Sequence, residues 1–83
     1  MIQLHRPAGF LEHKLSERGM VVQVTGAQTV DGQVEYQLLR GGQPYQFREP
    51  EHSVLMSFGI TGVTLTDAQL AGDGILHYTV KEL

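Results

Sequence analysis

Eighty-three residues with 41% apolar side chains allow one small hydrophobic core and no second domain, so residues 1–83 are expected to fold as a single unit. The absence of cysteine removes disulfides, thiolate metal sites and cysteine nucleophiles, and fits a reducing cytoplasm. A net charge of −3, with the cations Arg6, Lys14, Arg18, Arg40, Arg48 and Lys81 scattered along the chain, argues against a phosphate-backbone binder, which would show a basic stripe. No apolar run reaches membrane-spanning length, and the opening MIQLHRPAGF lacks the basic-then-apolar pattern of a signal peptide, so neither membrane insertion nor export is expected.

Met1–His5 alternates weakly and reads as a short edge strand, interrupted by Pro7 and Gly9. Phe10–Arg18 is the helical candidate. Phe10, Leu11, Lys14 and Leu15 recur at helical spacing, Gly19 is a natural stop and Arg18 suits a helix end. Met20–Thr25 reads as a strand on its β-branched content. Asp31-Gly32 then supplies a turn into Val34–Arg40, with Gly26 marking a loop or a bulge.

The clearest stretch is Val34–Glu49. Gly41-Gly42 provides the two positive-φ residues of a primed two-residue turn. That turn sets Arg40 opposite Gln43, Leu38 opposite Tyr45, Tyr36 opposite Phe47 and Val34 opposite Glu49. The other face then pairs Gln37 with Gln46 and Glu35 with Arg48. Pro44 falls opposite Leu39 in a non-hydrogen-bonded pair, where its missing N–H is not needed.

Beyond Pro50, the apolar run Val54–Phe58 reads as a buried strand, and Val63–Thr66 as another. Thr66-Asp67-Ala68-Gln69 matches a capping box for one helical turn ending at Gly72, with a β-arch as the alternative. Ile75–Val80 closes the chain as a strand with Leu76, Tyr78 and Val80 on one face. No internal repeat is apparent. Five or six short strands separated by glycine-rich turns, with one short N-terminal helix, predict a mainly β fold: a small antiparallel barrel or rolled sheet of SH3-like size.

Little in the chain points to catalysis. His5, His13, His52 and His77 stand at no metal-ligand spacing, and His77 is expected on the outer face of its strand. Ser16, Ser53 and Ser57 lie in no nucleophile elbow, and the glycines form no phosphate loop. No enzyme activity, metal or cofactor is therefore expected. The expected function is a non-catalytic protein-interaction module, of the kind found among bacterial and phage adaptors and inhibitors, binding a protein partner or a second copy. Its candidate contact residues are Tyr36, Leu39, Arg40, Tyr45, Arg48 and Leu55. Leu39 and Leu55 are included as apolar residues on the wrong side of a strand alternation. The alternative is a nucleic-acid-associated barrel, which requires Lys14, Arg18, Arg40 and Arg48 to converge beside Tyr45.

Overall fold

The computed structural model describes Ile2–Leu83, and its elements run strand, helix, strand, strand twice over. They are β1 (Ile2–Pro7), α1 (Ala8–Ser16), β2 (Gln23–Val30), β3 (Gln33–Arg40), β4 (Gln43–Pro50), α2 (Glu51–Ser57), β5 (Val63–Leu70) and β6 (Ile75–Glu82). The strands form two antiparallel three-stranded sheets, ordered β1-β6-β5 and β2-β3-β4. The fold is mainly β and antiparallel, as expected, but of the expected barrel or rolled sheet no closed barrel forms. Strands β2 and β5 touch where the sheets meet but share no ladder. Each carries a bulge there, at Val24/Gly26 and Leu65/Asp67, and a bulge bends a strand and breaks its pairing pattern.

The β3–β4 hairpin adopts the register that its sequence dictates, from Arg40↔Gln43 at the turn to Val34↔Glu49. Gly41 and Gly42 have φ of 58° and 78°, the primed turn that matches strand twist. Only glycine enters both positions without strain. A Gly41→Val/Gly42→Val variant is expected to lose about 1–3 kcal/mol of stability. An unchanged urea midpoint would show that the turn does not hold the hairpin.

The two halves correspond strand for strand. Exchanging β1 with β4, α1 with α2, β2 with β5 and β3 with β6 converts one sheet order into the other. The segment IQLHRP (Ile2–Pro7) then aligns with YQFREP (Tyr45–Pro50), and Tyr36 with Tyr78. Each half lends its first strand to the other half's hairpin: β1 pairs with β6, and β4 with β3. Local hydrogen bonds repeat as well. The first N–H of α1, on Ala8, donates to the Gly74 carbonyl at 2.9 Å, and that of α2, on Glu51, donates to the Gly32 carbonyl at 3.1 Å. Thr25 and Thr66, beside the two bulges, each donate a hydroxyl hydrogen bond to the strand opposite, at Gln37 O and Thr79 O. The sequence therefore does contain a repeat, contrary to expectation. It is hidden because few identities carry it and the connecting turns and helices differ in length.

Three sequence assignments are corrected. Val54–Ser57 is the body of helix α2, not a strand: Pro50 takes the N-cap position, Val54 and Leu55 face the core, and Met56 faces solvent. An apolar run this short fits either period, and the decision falls to what it packs on. The strand expected from Met20 begins only at Gln23. The Thr66–Gln69 capping box lies inside strand β5, because β6 pairs with Asp67, Ala68 and Gln69, and the hydroxyl of Thr66, at the bulge, bonds Thr79 O instead of a helix N-terminus.

The core draws on all eight elements. Tyr36, Leu38 and Val34 of β3 face Tyr78, Val80 and Leu76 of β6, closed by Leu11 and Leu15 of α1 and by Val54 and Leu55 of α2, with Leu4 and Phe47 at its margin. At its centre the hydroxyls of Tyr36 and Tyr78 share a hydrogen bond of 2.7 Å. These two residues correspond across the halves, so the bond joins one half to the other. Among the described residues, no helix is long and apolar enough to cross a membrane.

Candidate functional site

The β2-β3-β4 sheet ends near its hairpin turn in an open groove of about 590 Å³. Leu39, Pro44 and Tyr45 give it apolar walls, and Thr25, Gln37 and Gln46 give it polar ones. The hairpin explains this mixture. Leu39 and Pro44 are cross-strand partners on the outer face, whereas Tyr45 opposes the buried Leu38 on the inner face near the turn. Tyr45 is 41% exposed. Arg40 stands over its ring, 5.8 Å from the centroid, and carries no ion pair among the described residues.

The matching corner of the other sheet serves as an internal comparison. There the groove of about 360 Å³ is lined by Ile2, Val80, Lys81 and Glu82. Lys81 stands where Leu39 does and Glu82 where Arg40 does. The fold therefore does not require an apolar side chain at the Leu39 position.

Further along the outer face of β2-β3-β4, Glu35 is buried beneath its neighbours. Its carboxylate accepts from Gln28 Nε2 at 2.9 Å, from Gln37 Nε2 at 3.0 Å and from Arg48 Nε at 2.8 Å. Hydrogen bonds from Gln28 and then Arg48 favour the charged form and hold its carboxyl below the usual range, against the opposing effect of burial. Arg48 is thus committed to Glu35.

The outer edge of β4 is poorly suited to adding another strand. In an antiparallel hairpin with a two-residue turn, the residues of non-hydrogen-bonded pairs point their N–H groups outward. On β4 these are Pro44, Gln46, Arg48 and Pro50, and both prolines lack the donor.

Near the helices, Arg6 of β1 lies between the rings of Phe10 and Phe58, 4.4 Å and 3.8 Å from their centroids, and donates to Ser57 Oγ at 2.9 Å. Its counterpart on β4 is Glu49, in a pocket formed with Lys14, Leu15 and Arg18 of the α1 segment. Burial raises the Glu49 carboxyl above its ordinary value, partly offset by Lys14, Arg6 and Arg18.

Of the six residues expected to contact a partner, the structure brings Leu39, Arg40 and Tyr45 together at the groove. Arg48 lies elsewhere on the same sheet, bound to Glu35. Tyr36 is 2% and Leu55 7% exposed, and both face the core, so neither presents a side chain to a partner. The Leu55 expectation followed from reading its segment as a strand; on a helix, Leu55 and Val54 share the buried side. The cations named for nucleic acid do not share one site: Lys14 and Arg18 flank Glu49, Arg48 binds Glu35 and Arg40 covers Tyr45. Sequence reasoning overlooked Pro44, though the turn register already placed it beside Leu39. Comparisons of the chain with family models, with curated proteins and with solved structures find no match.

Proposed function

We propose that the protein is a small non-catalytic binding module whose groove at Leu39, Pro44 and Tyr45 receives a protein segment carrying an apolar side chain next to a carboxylate. The observation that carries this reading is the difference between the two corresponding corners. One keeps an apolar wall with an arginine on its rim that makes no ion pair among the described residues, while the other, at the free ends of β1 and β6, carries Lys81 and Glu82 at the corresponding positions. Tyrosine and arginine are favoured anchors at interfaces because they combine apolar area with directed polar contacts. Arg40 supplies the charge that an acidic neighbour in the partner complements. The prolines on the β4 edge support entry by side chains into the groove over strand addition.

A peptide display library of random sequence tests the proposal. Enrichment of sequences pairing an acidic residue with Leu, Phe or Trp is expected, with binding lost in Leu39→Glu and kept in Lys81→Glu, the matching change in the other corner. No enrichment, or peptides that bind Leu39→Glu equally well, would reject it. Light scattering on the same variants addresses the remaining occupant. A dimer that dissociates on Leu39→Glu would assign the groove to a second copy instead of a foreign partner.

A further inference from the structure

We propose that His5 and His77 form a two-imidazole binding site for a divalent transition metal ion of the zinc, nickel or copper type, on the outer face of the β1-β6-β5 sheet. The two residues lie at opposite ends of the chain, and pairing of β1 with β6 makes them direct cross-strand partners. Their ring centroids are 4.6 Å apart, with the rings edge to face.

The counterpart positions in the other sheet are Arg48 and Glu35. Counting from the hairpin turn, that pair is of the non-hydrogen-bonded kind, in which facing Cα atoms come closest, about 4.5 Å, and side chains lie nearest each other. The equivalence of β1 with β4 gives His5 and His77 the same pairing. There the resemblance ends. Glu35 and Arg48 satisfy each other and are braced by Gln28 and Gln37, whereas neither His5 nor His77 makes a side-chain hydrogen bond or ion pair among the described residues. Their ring nitrogens are therefore free to accept a metal.

His5 is exposed and His77 half-buried, so rotation about the side-chain bonds can turn a nitrogen of each ring to a shared point. Imidazole nitrogen suits zinc, nickel and copper and does not suit the oxygen-preferring magnesium. No group of three or more histidine, aspartate or glutamate side chains among the described residues could hold a metal, so the site has two protein ligands and water completes the shell. Gln69, the register partner of His77 on β5, stands beside it as Gln28 stands beside Glu35. From that register position the amide oxygen of Gln69 can accept from the second ring N–H, the role that carboxylates, backbone carbonyls and water fill for metal-bound histidines. Asp67 lies on the diagonal from His77 and adds a favourable negative charge.

Because the ligands come from distant parts of the chain, folding creates the chelate and metal binding must stabilise the fold. Thermal unfolding of the full chain, alone and with excess zinc, nickel or magnesium chloride, tests this. Zinc and nickel are expected to raise the midpoint by several degrees in the natural protein and in a His13→Gln/His52→Gln variant. They are expected to leave a His5→Gln/His77→Gln variant unmoved, and magnesium to shift none of them. Equal shifts in all three proteins, or a shift lost with His13 and His52, would overturn the proposal. A second measurement needs no variant. Paramagnetic nickel should first broaden the imidazole resonances of His5 and His77 in the natural protein, and uniform broadening of all four histidines would overturn the site.

Discussion

Replacing Tyr36 by alanine is expected to destabilise the protein by about 3–5 kcal/mol, the range for truncating a large buried aromatic side chain. Tyr36 lies in the centre of β3 at 2% exposure, stacks on Phe47 at a centroid distance of 6.2 Å, and shares a hydroxyl hydrogen bond with Tyr78. Its removal opens a cavity between the sheets and strands a buried hydroxyl, and each effect is unfavourable. Against the 5–15 kcal/mol typical of whole domains, such a loss leaves a variant close to unfolding at room temperature. The neighbouring Gln37→Ala is the control. Gln37 points the other way on the same strand and donates one hydrogen bond to Glu35, so its removal should cost roughly 0.5–1.5 kcal/mol. Urea unfolding of the two variants side by side gives the comparison. If Gln37→Ala is the more damaging, the faces of β3 have been assigned the wrong way round.

The second large effect is expected in alkali. Burial raises the phenol pKa of Tyr36 and of Tyr78 above the ordinary tyrosine value, in Tyr36 with a further contribution from its partner ring. A raised folded-state value means that the native protein keeps these protons while the unfolded chain gives them up above about pH 10. The stability they contribute is therefore complete below about pH 10 and is lost as pH rises further. Cooperative unfolding is expected there, with the phenolate absorbance of these two tyrosines appearing together with the loss of circular dichroism. Tyr36→Phe/Tyr78→Phe removes both titrating groups, and replacing both partners by apolar groups of similar shape is nearly neutral at pH 7. That variant should resist alkali better than the natural protein. Two phenolates forming in a fully native spectrum would show that the pair is not sealed from solvent.

The central hairpin was readable because its determinants are adjacent in the chain. Gly41-Gly42 selects the turn, the turn sets the pairing, and the period of two decides which side chains meet, down to Glu35 against Arg48 and Leu39 against Pro44. The Asp31-Gly32 turn, with φ of 48° and 76°, was readable for the same reason. Helix α2 was not. Val54-Leu55-Met56 has too few residues to show a period, and it becomes helical where Pro50 ends β4 and the segment can bury Val54 and Leu55 together. The groove was half readable. Leu39, Arg40 and Tyr45 were singled out from their pattern, but their separation from Tyr36 and Leu55 depends on which faces the two sheets turn toward each other.

The chain by itself therefore determined its central hairpin and that hairpin's register, its glycine turns and its reliance on a small core, because these follow from side-chain size, φ preference and alternation within a few residues. Tertiary structure alone decided the pairing of β1 with β6, the meeting of Tyr36 with Tyr78, and the placing of His5 against His77. Those contacts join residues far apart in sequence. Their positions are set by which long-range pairing buries the most apolar surface while satisfying every strand, and no local pattern records that choice.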